Sequence, residues 1–285
     1  MDVAMPGPVK TSGIVLARWD FGNTSRILAL LTADRGQVSV LHKGARRAKG
    51  GAGLGGGLDL LSENEILYYE RRGGGLAVLA EWSELADPAT GLAAHPVRFA
   101  AAEVLLEYAR ACSSEGEASP EAYRLLADGT RLLTGAERLI PAALALALAM
   151  LSAAGFRPAV DACAACGQKP PGGAWKGPAT LCAEQGGLLC TPCAAAAERR
   201  RAQDRRGRSR LFRGTVRLSG EACALLGALV RLAPEAAARL RPSRRAEHEL
   251  LRAVESYGSW RLEHRMRALT ALGLIINRLE AVGCR

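Results

Sequence analysis

The sequence predicts an α+β protein, in which a small β-barrel precedes an α-helical domain with an inserted four-cysteine site. Three observations lead to this prediction. Short runs rich in β-branched residues fill positions 8–86, helical periodicity dominates from residue 95 onward, and two Cys-x-x-Cys pairs lie within residues 160–194. We therefore expect a barrel domain at residues 1–87 and a helical domain at residues 88–285.

Five candidate strands occupy the first domain. They are predicted at residues 9–19, 26–32, 38–42, 64–70 and 76–80. Asp34-Arg35-Gly36 is a tight-turn signal between the second and third strands. A basic and glycine-rich interruption at 43–57 separates the third strand from the fourth. Five short strands with one long interruption are typical of a small barrel or a curled sheet.

The second domain shows helical periodicity. Candidate helices cover residues 95–111, 120–133, 139–155, 219–232, 245–257 and 260–281. Ser119 and Pro120 form a helix start, because serine caps free backbone N–H groups and proline fits the first turn. The uncharged run from Leu139 to Phe156 contains Pro141 and is barely long enough to span a bilayer, so we interpret it as a buried helix.

The cysteine segment is the strongest chemical signal. Cys163 and Cys166 form one pair, and Cys190 and Cys193 form another. A two-residue spacer lets both thiolates of a pair turn toward one ion, and two such turns complete a tetrahedron. We predict one structural Zn²⁺ at these four residues. Because four thiolates leave no open position, the site is expected to stabilise a fold and not to catalyse a reaction.

The same cysteines are also compatible with roles other than a closed zinc site. The 23 residues between the pairs exceed the usual spacing of about 15–20, although a surface loop at 169–178 accounts for the excess. The thiols could instead be unmetallated, form a redox pair, or use Cys182 in place of one ligand. We interpret Cys182 as a bystander, and Cys112, Cys223 and Cys284 as packing residues.

Positive charge is concentrated in the last third of the chain. The net charge is +10, and residues 194–285 alone contain 20 arginines against 9 acidic residues. Arginine binds phosphate bidentately, so a polyanion such as nucleic acid is the expected partner. The densest cluster lies at 199–213 and includes Arg199, Arg200, Arg205 and Arg206. A solubilising helix face is the alternative interpretation.

A second basic cluster interrupts the barrel strands. Lys43, Arg46, Arg47 and Lys49 precede a glycine-rich stretch at 50–57. Four cations on a loop beside a small barrel could follow a phosphate backbone, and a solvated hairpin is the alternative. The glycine stretch lacks the Gly-Lys-Ser/Thr ending of a P-loop, so we do not predict nucleotide binding.

The sequence contains no recognisable catalytic constellation. None of the four histidines lies in an HExxH motif or beside a nucleophile elbow, and no acidic cluster suggests a two-metal site. We therefore expect that the protein is not an enzyme. The first ten residues have no apolar signal core, and eight cysteines without one favour a reducing, cytoplasmic location.

The residues resemble a known family, the bacterial recombination mediator RecO. Three stretches carry the resemblance: Gly13–Leu16 through Thr32 to Lys43–Arg47, then Leu151–Pro158 into Asp161–Gly167, then Gly186–Cys193. The likeness implies that the barrel is an OB-fold and that the zinc site is an insertion in the helical domain. The four cysteines match the family's zinc pattern, and Lys43, Arg46 and Arg47 fall on its basic barrel segment.

The resemblance also implies function and partners. RecO proteins bind single- and double-stranded DNA and anneal complementary strands. They act with RecR to load RecA onto DNA covered by single-strand-binding protein (SSB), whose acidic C-terminal tail they contact. We therefore expect a non-catalytic DNA-repair protein that associates with the nucleoid and not with a membrane. The alternatives are a zinc-ribbon enzyme that modifies nucleic acid and a zinc-containing adaptor that binds a protein partner.

Overall fold

The computed structural model describes residues 7–45, 58–71, 76–88, 91–92, 94–203 and 214–281. The chain divides into two compact units. The first unit comprises Met1–His95 and Ala109–Thr134, and the second comprises Pro96–Tyr108 and Gly135–Arg285. The domain boundary at residue 87 stays a prediction from the sequence.

The first unit contains a closed five-stranded barrel. Its strands are β1 (Val9–Phe21), β2 (Ser25–Thr32), β3 (Gly36–His42), β4 (Glu63–Tyr69) and β5 (Ala77–Ala86). They follow one another around the barrel in the order β1-β2-β3-β5-β4, and β4 pairs with β1 to close it. All pairs are antiparallel except β3 with β5. This is the arrangement of an OB-fold, so the predicted barrel is confirmed.

Alternating residues of the strands fill the barrel. The core contains the buried side chains of Val15, Leu28, Leu30, Ile66 and Tyr68. Each fully buried apolar side chain of this size contributes about 1.5–3 kcal/mol. A register shift between Val15 and Ala17 bends β1, which lets its first half pair with β4 and its second half with β2.

Helical residues of the first unit contact the barrel strands. The Gln37 side-chain amide donates hydrogen bonds to the carbonyl oxygens of Arg110 (2.8 Å) and Ser113 (2.7 Å). The Tyr123 hydroxyl donates to the Glu63 carboxylate at 2.7 Å, and Arg131 forms an ion pair with the same carboxylate at 3.0 Å. These bonds tie residues 109–134 to the barrel within one unit.

Most of the described helices belong to the second unit. In chain order the helices are α1 (Pro96–Cys112), α2 (Pro120–Gly135), α3 (Leu139–Ala153), α4 (Thr191–Gln203), α5 (Gly220–Arg231), α6 (Pro234–Ala237), α7 (Arg244–Arg261) and α8 (Ala268–Ala281). Helix α3 is buried along nearly its whole length, as the sequence predicts. The serines at 219 and 243 cap α5 and α7 by accepting backbone N–H bonds.

A small sheet and one helix boundary depart from the sequence prediction. Strands β6 (Ala179–Cys182), β7 (Gly187–Leu189) and β8 (Thr215–Leu218) form a three-stranded sheet in the order β7-β6-β8. The sequence did not indicate this sheet. The single helix expected at 260–281 is wrong at its start, because α7 continues to Arg261 and α8 begins at Ala268. Glu263, in the turn between them, has a φ of 50° that no right-handed helix allows.

Candidate metal centre and basic segments

Four cysteine side chains converge at one point of the second unit. The Sγ atoms of Cys163, Cys166, Cys190 and Cys193 all lie within 4.8 Å of one another. The Cys166 and Cys190 sulfurs are 3.9 Å apart. A tetrahedron with Zn–S bonds of about 2.3 Å has edges of roughly 3.8 Å, so this arrangement fits a metal ion. Among the described residues, this is the one group of three or more such side chains close enough to share an ion.

Local backbone structure places each cysteine. The first pair forms a tight turn in which the Gly167 N–H donates to the Cys163 carbonyl at 2.8 Å. Gly167 has a φ of 72°, a conformation that favours glycine directly after the second cysteine. Cys190 follows β7, and Cys193 lies in the first turn of α4, where the Ala194 N–H donates to the Cys190 carbonyl at 2.9 Å.

The electrostatics of the cluster favour one thiolate and oppose more. Burial raises the pKa of Cys163, but N–H groups of Cys190, Cys166 and Ala165 point at its sulfur and lower the pKa to about 6. The Cys190 nitrogen lies 3.4 Å from that sulfur. The neighbouring Cys190 thiol raises the pKa of Cys193 to about 12. Four thiolates at these distances therefore require a cation that offsets their repulsion.

An apolar shell supports the cluster. Leu189, Ala194 and the buried thiol of Cys182 pack against it, together with the half-buried Trp175. The Trp175 indole N–H donates to the Val160 carbonyl at 2.7 Å, which fixes the ring beside the site. Cys182 is fully buried and does not belong to the converging group. This placement agrees with its interpretation as a bystander.

Three of the predicted basic residues lie in described parts of the chain. Lys43 is exposed, one residue beyond the end of β3. Arg199 and Arg200 are exposed on α4, the helix whose first turn contains Cys193. Arg46, Arg47, Lys49, Arg205 and Arg206 lie outside the described residues. The part of these residues in DNA binding stays a prediction.

Sequence reasoning missed two features of the described residues. Arg261 lies over the rings of Phe156, Tyr257 and Trp260 at 5.5–5.9 Å, an arrangement that depends on tertiary contacts. Trp19 and Phe21 are large apolar side chains that remain 53% and 49% exposed on the barrel. Two aromatic residues at i and i+2 next to a turn were the signal that could have revealed the second feature.

The fold and the cysteine cluster together define a class of two-domain proteins with a metal-binding motif. An OB-fold barrel comes first, and a helical domain with a four-cysteine insertion follows. The chain matches the family models described as "Recombination protein O N terminal" over residues 5–86 and "Recombination protein O C terminal" over residues 94–270. The chain therefore belongs to the RecO family of DNA repair proteins.

Curated relatives support this assignment over most of the chain. A DNA repair protein RecO from Anaeromyxobacter sp. (strain K) is 37% identical over 188 residues, which cover 65% of this chain and 70% of the relative. The DNA repair protein RecO from Streptomyces griseus is 29% identical over 266 residues, which cover 91% and 96%. That from Nocardioides sp. is 29% identical over 269 residues, which cover 91% and 97%.

None of the helices in the described ranges meets the requirements of a membrane span. Crossing a bilayer demands a helix that is both long and apolar, and no described helix combines the two properties. Helix α3 is the most apolar of them, with 15 residues, and its side chains are buried inside the second unit.

Proposed function

We propose that the protein binds DNA and anneals complementary strands in recombinational repair, without catalysing a reaction. The observation that carries this proposal is the match of both RecO models to a chain with an OB-fold barrel. OB-folds bind single strands through a charged groove and a sheet face. The resemblance extends the proposal to RecR, to the SSB C-terminal tail, and to the loading of RecA on SSB-coated DNA in the nucleoid.

Charge neutralisation provides the mechanism. Two complementary strands repel each other because each carries one negative charge per nucleotide. Cations that bind phosphates release counterions and let the strands approach. Lys43, Arg46, Arg47 and Lys49 belong to the first unit, and Arg199, Arg200, Arg205 and Arg206 to the second. We propose that each set holds one strand.

The proposed metal ion is Zn²⁺, held by Cys163, Cys166, Cys190 and Cys193. An all-sulfur tetrahedral site suits zinc, and its closed ligand set leaves no position for substrate. The ion would supply two positive charges to the thiolates and fix the first turn of α4. Because α4 also carries Arg199 and Arg200, zinc would act on DNA binding only through the local fold.

The test is charge reversal of the barrel cluster. We expect that a variant with Arg46, Arg47 and Lys49 replaced by Glu binds single strands more weakly and anneals more slowly. If each cation contacts one phosphate, the slope of log affinity against log salt falls by about 2. Fluorescence anisotropy with a labelled oligonucleotide and an annealing assay measure both effects.

A matched control separates local contacts from total charge. Arg35, Arg110 and Arg124 are exposed cations of the same unit, and their replacement by Glu changes the net charge equally. This control should retain most binding and annealing. Annealing that is unchanged in the first variant, or equally reduced in both, would contradict the proposed role of the barrel cluster.

A further inference from the structure

The outer face of the barrel carries an apolar row with an exposed aromatic residue at its end. Trp19 on β1 pairs with Ile27 on β2, which pairs with Leu41 on β3, which pairs with Val78 on β5. The neighbours Leu28, Val40 and Ala77 belong to the barrel core. Because side chains alternate along a strand, the row points outward.

Two aromatic side chains stand out on this face. Trp19 is 53% exposed and Phe21 is 49% exposed, and they lie on the same side of β1. Their Cα atoms are about 6.8 Å apart, because a strand rises about 3.4 Å per residue. That is twice the spacing of about 3.4 Å between successive bases of one DNA strand, so a base fits between the rings or one base fits on each.

One carboxylate and two cations lie near the exposed rings. Asp20 lies between the two aromatic residues but projects to the other side of the strand, where it pairs with Arg26 at 3.2 Å. Lys43 directly follows His42, the last residue of β3, and His42 pairs with Arg26, next to the Ser25–Phe21 pair. It is exposed and has no ion-pair partner among the described residues. The two exposed rings and an exposed cation thus lie at the same end of the paired strands β1, β2 and β3.

We propose that Trp19 and Phe21 form a stacking platform for the bases of single-stranded nucleic acid, with the exposed Lys43 at the same end of the strands. This inference rests on the DNA binding proposed above and adds a contact that charge does not provide. Aromatic rings stack on any base, so the platform is independent of sequence. It selects single strands, because a duplex keeps the faces of its bases covered.

Alanine substitution tests the platform. Trp19→Ala and Phe21→Ala should each weaken binding of oligo(dT) by roughly 5- to 140-fold, the range for loss of one stacked base. The salt slope should stay unchanged, because no phosphate contact is lost. Binding of a duplex should also stay unchanged. Fluorescence anisotropy at three salt concentrations measures all three quantities.

Two controls make the result specific. Phe99→Ala removes a similarly exposed ring (41% exposed) from α1 and should leave oligo(dT) binding intact. An abasic oligonucleotide keeps the phosphates but has no bases, so wild-type protein should bind it more weakly than oligo(dT). A double variant with Trp19→Ala and Phe21→Ala should bind oligo(dT) and the abasic oligonucleotide with similar affinity. A variant with Trp19→Phe keeps an aromatic ring, so it should retain much of the wild-type preference for oligo(dT) over the abasic probe.

The outcomes distinguish this inference from the proposed function. If folded wild-type protein binds neither probe, the proposed DNA binding fails and the platform with it. If wild type binds but the folded double variant binds oligo(dT) equally well, the platform alone is wrong. Loss of RecR binding with intact oligo(dT) binding would assign the face to a protein partner and would also overturn the platform.

Discussion

Cys163 is the most buried of the four clustered cysteines, with 2% of its surface exposed, whereas Cys166 is exposed. Backbone N–H groups already direct their positive ends at its sulfur. A metal–sulfur bond at this position therefore gains from preorganised donors, and its loss leaves those N–H groups without a charged acceptor. Cys163 lies in the first turn of the cysteine segment, and its sulfur accepts the N–H of Cys190, which directly precedes α4.

Replacing this ligand should damage the local fold. We expect Cys163→Ser to lose its zinc and to lower folded yield and melting temperature, because structural zinc contributes about 10–16 kcal/mol, as much as a typical domain's whole stability. Metal analysis and thermal melting of the purified protein measure these effects. DNA affinity should fall only in proportion to the unfolded fraction.

Cys182→Ala is the matched control, because this equally buried thiol lies outside the converging group. It should keep one zinc per chain, with a stability loss of about 1 kcal/mol for the small cavity. A zinc-free Cys163→Ser protein that melts at the wild-type temperature would refute the structural role. Metal loss in Cys182→Ala would show that the ligand set is different.

At the scale of elements, the sequence predicted those strands and helices whose pattern depends only on residues close together in the chain. The runs at residues 9–19 and 26–32 are rich in β-branched and apolar residues and end at turn signals, so β1 and β2 could be found directly. The small sheet of order β7-β6-β8 was not predictable in this way, because Thr180 pairs with Arg217, 37 positions further along the chain. The start of α8 depends on Glu107, Glu255 and Ser259, which accept backbone N–H bonds just before α8 and in its first turn. Such long-range contacts leave no periodic signal.

The small sheet offers its own test at Gly187. A Cβ atom there would lie 2.3 Å from the Ala159 carbonyl oxygen, which accepts the Leu188 N–H bond at 2.9 Å. We expect Gly187→Ala to force β7 away from residue 159 and to destabilise the cysteine segment by about 1–3 kcal/mol. Thermal melting and the rate of zinc transfer to a chelator measure the effect.

Gly177→Ala serves as the control for that substitution. Gly177 precedes β6 in the same segment, and a Cβ atom there meets nothing within 4 Å. The control should melt at the wild-type temperature and lose zinc at the wild-type rate. Equal behaviour of the two variants would show that the close approach of β7 to residue 159 does not support the metal centre.

At the scale of the whole molecule, the distribution of charge matters more than its total. The excess of arginine in residues 194–285 and the basic cluster of the barrel belong to different units. A protein with a single basic surface can bind one strand, whereas annealing requires that two strands come together. The two-surface proposal therefore predicts that binding and annealing respond differently to loss of one surface.

This difference can be measured with two variants and their combination. One variant carries Arg46, Arg47 and Lys49 as Glu, and the other carries Arg199, Arg200, Arg205 and Arg206 as Glu. At protein concentrations that saturate a labelled strand, each variant should still bind that strand through its intact surface. Each should nevertheless anneal complementary strands at least tenfold more slowly than wild type, and the combination should lose binding as well.

The same variants should also be compared with wild type at several salt concentrations and on strands covered by SSB. Wild-type annealing should fall steeply as salt rises, because phosphate neutralisation drives it, and it should persist on strands covered by SSB. The single-surface variants should show shallower salt slopes, since each retains fewer phosphate contacts. If either variant anneals at the wild-type rate under saturation, one surface is sufficient, and the strands must meet by another route than simultaneous binding to both units.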